Sequence, residues 1–229
     1  MENATVASPA ETKVKSRVYG FVDGFNLYHA LEDFRHARTD EDRRKYQKYK
    51  WLCLSSLLKR YIEPQTDELV GVEYFTTYPT WDTDKKLRHS IYVSALISQG
   101  VHVTFGEFKL KTIGCRATCK QEFQVHEEKQ TDVNISTALI ALADSYDKAI
   151  LLTEDSDQVP AVRLLKKLHP EKRVLTFPPI GRNSKELVRV CDGRLTMSED
   201  ALIACQLPNP IPIIKGGKQS AVLVKPSTW

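Results

Sequence analysis

The sequence predicts an α/β fold, a three-layer sandwich around a central, mainly parallel sheet. Three observations predict it. Short apolar runs of strand length alternate along the chain with stretches of helical spacing. The run Ala149-Ile150-Leu151-Leu152-Thr153 is apolar almost throughout, as a strand buried on both faces requires. Just before it, Ile135, Ala138, Leu139, Leu142, Ala143 and Tyr146 fall at i, i+3, i+4, i+7, i+8 and i+11, drawing one apolar stripe down a helix. Such alternation implies parallel strands joined by helical crossovers that cover both faces.

In chain order, Val18 to Val22 reads as the first buried strand and Asn26 to Phe34 as the helix after it. Trp51 to Ile62 is a second helical candidate. Leu69 to Thr77 is β-rich through Val70, Val72, Tyr74 and Phe75. Helical spacing returns from Asp84 to Ser98, and Val101 to Phe105 alternates as a strand. The clearest helix, Asp132 to Tyr146, leads into the strand Ala149 to Thr153. The next helix begins near Asp157, with Pro160 tolerated in its first turn and Ala161, Leu164, Leu165 and Leu168 as its stripe. Arg173 to Phe177 is a further strand.

Three regions read as peripheral. Residues 1–15 are small and polar, a flexible N-terminus. Residues 35–50 are dense in charge, a solvated loop or a helix exposed on most sides. Residues 207–229 carry Pro208, Pro210, Pro212, Gly216, Gly217 and Pro226, a tail expected to run extended over the surface or to be disordered. The domain proper is therefore expected over residues 16–206. At 229 residues, 41% hydrophobic and 27% charged, the chain suits one substantial domain rather than two.

A net charge of +4 is compatible with a nucleic-acid partner without demanding one. No apolar stretch approaches the roughly 20 residues of a membrane span, and the N-terminus lacks the pattern of a signal peptide. Five cysteines without a secretion signal point to free thiols and a cytoplasmic protein. A homo-oligomer is compatible with the sequence, but no coiled-coil heptads indicate one.

Four aspartates stand where function is expected. Open parallel sheets place their sites at the carboxyl ends of the strands. Asp23 directly follows the first strand, Asp155 and Asp157 follow Ala149 to Thr153, and Asp132 opens the best helix. Taken singly, Asp132 or Asp157 could be a helix N-cap, worth about 1 kcal/mol, and Asp23 a turn residue. Capping does not explain all four at the two best strand ends and the best helix start. Two carboxylates ~4 Å apart repel by about 4 kcal/mol at an effective dielectric near 20. A convergent set must therefore take up protons or bind cations. Hard oxygen ligands favour Mg²⁺ or Mn²⁺, which suits phosphoryl chemistry.

The segments Phe21-Val22-Asp23-Gly24-Phe25-Asn26-Leu27-Tyr28, Glu128-Lys129-Gln130-Thr131-Asp132-Val133 and Glu154-Asp155-Ser156-Asp157 with Val159-Pro160 resemble the NYN domains of the PIN-like nuclease superfamily, in particular the LabA-like branch. Tyr74-Phe75-Thr76, Gly106-Glu107-Phe108-Lys109 and Ser198 to Pro208 extend the resemblance over roughly residues 17–208. It implies a Rossmann-like, PIN-like sandwich and an endoribonuclease that binds Mg²⁺ or Mn²⁺ through Asp23, Asp132, Asp155 and Asp157. RNA is the expected partner, with DNA open, and an RNA-binding module with weak or lost catalysis is the alternative. Asn26 would orient a water or a carboxylate, and Ser156 would contribute its hydroxyl or backbone N–H. Lys129 would offset carboxylate repulsion or hold a phosphate, and Lys85, Lys86 and Arg88 would contact phosphates or form a solvated face. Family members commonly carry Gly where this chain has Glu154, which would be a fifth ligand, a general base or a sign of weakened activity.

Other residues carry weaker signals. Cys115 and Cys119 lack a full zinc set unless His126 or His102 joins them, so free thiols are the preferred reading. His29 is better read as a packing residue than a site residue. A phosphatase with Asp-x-Asp after its first strand is disfavoured, since that strand ends Asp23-Gly24-Phe25.

Overall fold

Along the first strand, Val18, Gly20 and Val22 alternate with Tyr19, Phe21 and Asp23, and that alternation sorts the molecule into two cores. The computed structural model describes residues 14–32, 45–115, 121–215 and 218–229. The flexible reading of 1–15 and the charged stretch 35–50 thus lie mostly outside the described residues, as does Cys119.

Six strands form one sheet: β1 (Ser16–Asp23), β2 (Asp67–Thr76), β3 (His102–Phe105), β6 (Lys148–Leu152), β7 (Arg173–Thr176) and β8 (Gly193–Arg194). Their spatial order is β3-β2-β1-β6-β7-β8, and every neighbouring pair is parallel. The winding therefore runs outward from β1 in one direction, then restarts at β6 and runs the other way. This doubly wound order opens a crevice between the carboxyl ends of β1 and β6.

Helices α1 (Gly24–Glu32), α2 (Leu54–Lys59), α3 (Thr83–Ser98) and α7 (Glu199–Ala204) pack on the face carrying Val18, Val22, Tyr74, Ile150 and Leu152. Helices α4 (Thr131–Ala141), α5 (Val159–Leu168) and α6 (Lys185–Val190) cover Phe21, Phe75, Ala149, Leu151 and Val174 on the other. The sandwich is three-layered, as the sequence predicts.

Three differences from expectation have physical causes. Helix α4 ends at Ala141 and passes into a 3₁₀ turn over Ala143–Ser145, although Ile135, Leu139, Ala143 and Tyr146 are all buried as the stripe requires. Asp144 and Ser145 compete with the helix for backbone hydrogen bonds, and Tyr146 instead donates its hydroxyl to the Leu139 carbonyl at 2.5 Å. The basic connection before α4 is an antiparallel hairpin of β4 (Glu107–Gly114) and β5 (Glu122–Lys129). The apolar residues that alternate with its lysines, Phe108 and Leu110, join neither core, and Leu110 is exposed. The proline-bearing tail folds back as a hairpin of β9 (Ile211–Lys215) and β10 (Lys218–Leu223), with Ile211 buried in the core.

Candidate active site

The period of two decides which way the first strand ends. Asp23 shares a face with Tyr19 and Phe21, and Thr153 shares that face with Ala149 and Leu151. Because Val22 lies opposite Leu152, the next residues meet, and the Thr153 hydroxyl donates to Asp23 Oδ2 at 2.8 Å. The same oxygen accepts Asn26 Nδ2 at 2.6 Å, while Oδ1 accepts the Asn26 backbone N–H at 2.9 Å. Asp23 is 2% exposed. Oδ2 is thus fully engaged, and Oδ1 keeps an acceptor position.

Burial, helped by the charges of Asp132 and Asp155, raises the Asp23 carboxyl to about 7 against the pull of those hydrogen bonds. Asp132, in the first turn of α4, is raised to about 6 by burial, then by Asp155, Glu128 and Asp157. The four aspartates therefore share one electrostatic neighbourhood at the crevice. None of the helix-capping alternatives for Asp132 or Asp157 is realised: the N-cap residues of α4 and α5 are Gln130 and Gln158, neither with a side-chain cap. Asp155 does cap, accepting the Asp157 N–H at 2.9 Å, and its own N–H donates to Thr153 Oγ1 at 3.0 Å.

Three residues the sequence did not single out fix this arrangement. Gln158, fully buried, accepts from Ser136 and donates to the Asp132 carbonyl at 3.2 Å, tying α4 to the Asp155–Asp157 turn. Glu128 accepts the Thr131 N–H at 3.1 Å and adds its charge beside Asp132. Arg182, buried, donates to Glu154 Oε1 at 3.1 Å and to the His29 carbonyl at 3.2 Å. The Glu154 carboxylate is thereby taken up by a guanidinium, while its backbone N–H donates to Asn26 Oδ1 at 3.2 Å. Thr153 carries no motif signal, yet period-two reasoning from Ala149 and Leu151 finds it.

Other expected site residues stand elsewhere. Lys129 points to the opposite face of β5 from Glu128 and pairs with Glu127 at 3.0 Å. Ser156 is exposed on the turn after β6. His126 pairs across the hairpin with Leu110, several residues from Cys115 beyond the end of β4, so the two do not share a ligand site.

Across the sheet from the aspartates, the carboxyl end of β2, α1, α3 and the β4–β5 hairpin enclose a cavity of about 260 Å³. Phe25, Tyr28, Tyr74, Trp81, Tyr92 and Trp229 are among its walls, with Arg88 and Lys85 beside them. His29 also lines it, packed edge-on against Phe25. Gly24 joins the two sites: a Cβ there would lie 2.6 Å from both the Phe75 carbonyl and the Tyr74 ring. No side chain fits at that crossing point.

Among the described residues, no three His, Cys, Asp or Glu side chains come close enough to hold one ion between them. Mg²⁺ typically takes one or two carboxylates and completes its shell with water and phosphate. Asp23, with a spare acceptor position on Oδ1, and one of its neighbours Asp132 or Asp155 would suit that habit as a pair of oxygen donors. Among the described residues no helix is long and apolar enough to cross a membrane.

The chain is 27% identical over 262 aligned residues to 6-hydroxy-3-succinoylpyridine 3-monooxygenase HspA of Pseudomonas putida (strain DSM 28022 / S16), covering 94% of this chain and 75% of that protein. It superposes with a TM-score of 0.53 on a protein of unknown function from Vibrio parahaemolyticus RIMD 2210633, at 17% identity over 84% of this chain and 98% of that one. That likeness concerns the fold alone. The NYN domain matches residues 17–199, which include all four aspartates and the six-stranded sheet but for Ser16 at the start of β1. The chain belongs to the NYN domain family and, with it, to the PIN-like nuclease superfamily.

Proposed function

We propose that the chain is an Mg²⁺- or Mn²⁺-dependent endoribonuclease acting at the crevice between β1 and β6. The observation that carries the reading is the mutual charge felt by Asp23, Asp132 and Asp155 at that crevice. Carboxylates held that near one another lower their energy by taking up a cation rather than staying charged and alone. A bound divalent ion supplies Lewis acidity to a phosphodiester and lowers the pKa of water. The protein's own part is positioning. Asn26 and Thr153 fix Asp23, Gln158 fixes the start of α4, and Asp155 is fixed by the turn that it caps. Arg182 neutralises Glu154, so that carboxylate belongs to the scaffold rather than to the cation-binding set.

The test is incubation of labelled single-stranded RNA and matched DNA with Mn²⁺, Mg²⁺ or EDTA. Cleavage is expected with either metal and not with EDTA, and Asp155→Asn should slow it by more than about 100-fold, since even outer-shell losses at metal sites cost 10–100-fold. RNA retained but uncut would replace this reading with the binding module. A second reading, in which a small heteroaromatic compound is the substrate, is favoured by the aromatic cavity together with the named substrate of the Pseudomonas relative.

A further inference from the structure

The aromatic cavity is separate from the acidic cluster in both chemistry and position. Asp23 and Thr153 face α4, whereas Tyr74 and Thr76, one strand over, have the opposite parity and face α1 and α3. At about 260 Å³ the space exceeds the roughly 150 Å³ that holds a benzene ring in an engineered apolar cavity. It suits one substituted or fused ring, not a run of stacked bases.

Its walls are planar and its charge is positive. Trp81 is stacked on His126 at 3.6 Å between centroids and meets the Phe108 edge at 4.5 Å, leaving the indole 45% exposed. Trp229 closes the opposite side against Tyr92. Of the three cations at the cavity, Lys50 is paired with Glu32 and Lys85 with Asp82. Arg88 has no ion pair among the described residues. Thr77 also lines the cavity, and its buried hydroxyl has no hydrogen-bond partner among the described residues. A guanidinium with no ion pair among the described residues, its charge felt only at a distance by Asp82, and set among aromatic faces selects for a flat ring carrying an anion.

We infer that this cavity is a binding site for a single heteroaromatic ring bearing an anionic group, with the ring against Trp81 and the anion on Arg88. Two sources offer such a ring, a nucleotide, which would place a base beside the acidic crevice, and a free heteroaromatic acid. The inference does not depend on the nuclease reading, because binding is measured in EDTA, where no cleavage is expected.

The chain carries three tryptophans, of which Trp81 and Trp229 line the cavity and Trp51 is buried in the core. Intrinsic fluorescence therefore reports on it, with calorimetry for stoichiometry. The full chain is titrated with AMP, nicotinate, adenosine and inorganic phosphate. Saturable one-to-one binding of AMP or nicotinate is expected, at least about tenfold tighter than adenosine or phosphate, because only the first two join ring and charge. Binding of AMP alone assigns the ring to a nucleotide, and binding of nicotinate alone assigns it to a free acid. Arg88→Gln should weaken that ligand by about tenfold, with partial recovery in Arg88→Lys, and Trp81→Ala by a similar factor. Circular dichroism confirms that the variants fold. The inference is overturned if neither AMP nor nicotinate saturates, if phosphate binds as tightly as the ring compounds, or if folded Arg88→Gln binds like the wild type.

Discussion

The two sides of the sheet edge are built on opposite plans. The acidic crevice gathers carboxylates from three short segments, each within a few residues of a strand end or helix start, and holds Asp23 and Asp155 with short-range hydrogen bonds from Asn26, Thr153 and Asp157. The aromatic cavity gathers rings and cations from segments as far apart as Phe25, Lys50, Trp81, Phe108 and Trp229, held mainly by packing. The two also respond to pH in opposite directions. Asp23 and Asp132 are carboxyls raised in the fold, so between about 4 and 7 the folded state binds more protons than the unfolded one. Their contribution to stability therefore falls as pH rises through that range. His89, which lines the cavity, is lowered from 6.5 to about 4 by burial, so its contribution is full above 6.5 and is lost as pH falls toward 4. One site is built for charge it lacks a partner for, and the other keeps a histidine neutral.

The largest expected effect falls on the pair that makes the acidic side tolerable. Arg182→Met leaves Glu154 without its guanidinium in a mostly buried setting and should cost about 3–5 kcal/mol of unfolding free energy in urea denaturation. Adding Glu154→Gln should recover much of that loss. If the double variant is no more stable than the single one, Arg182 matters for its bond to the His29 carbonyl rather than for charge. Next comes His89, whose neutral burial predicts about 3 kcal/mol of stability lost between pH 6.5 and 4. His89→Gln should flatten that arm of the stability profile while keeping the bond to Thr76 Oγ1, which the imidazole makes at 2.9 Å. An unchanged slope would move the acid sensitivity to other groups. The smallest effect has the opposite sign. Among the described residues the Asp132 carboxylate accepts no hydrogen bond that an amide would forfeit, and it is half-buried among like charges. Asp132→Asn should therefore stabilise the metal-free protein at pH 8 by about 1–2 kcal/mol, allowing for solvent screening, and the gain should vanish near pH 4. A loss of stability at pH 8 instead would show that the carboxylates are not in conflict there.

The same difference in plan explains what could be read from the chain. Asp23 and Asp155 are legible because a strand's end is a local property: an apolar run stops and a carboxylate follows. The central parallel sheet was legible for the same reason, through Val18 to Val22 and Ala149 to Thr153, but its two-residue edge strand β8 was too short to read. Arg182 was not, because nothing around it marks a partner twenty-eight residues away. The cavity was not, since Trp229 lies in a tail whose prolines hide its hairpin, and Lys50 lies in a stretch that reads only as charge. The β4–β5 hairpin escaped notice because the apolar residues that alternate with its charges, Phe108 and Leu110 among them, belong to neither core.

That hairpin leaves the sheet at Gly106, where a Cβ would lie 2.5 Å from the Lys129 carbonyl, and rejoins α4 through Gln130, which is left-handed at φ 76°. Phe108, His126 and Glu128 share one of its faces, the first two walling the cavity and the third seated beside Asp132. A one-residue slip in β5 would turn that face over, since strand side chains alternate sides. Glu127 and Lys129 would then face inward, and the cavity would lose a ring in the same event that deprives the acidic side of a carboxylate. The phase of a single ribbon is thus a common setting for both sites, and neither can be retuned by insertion there without detuning the other.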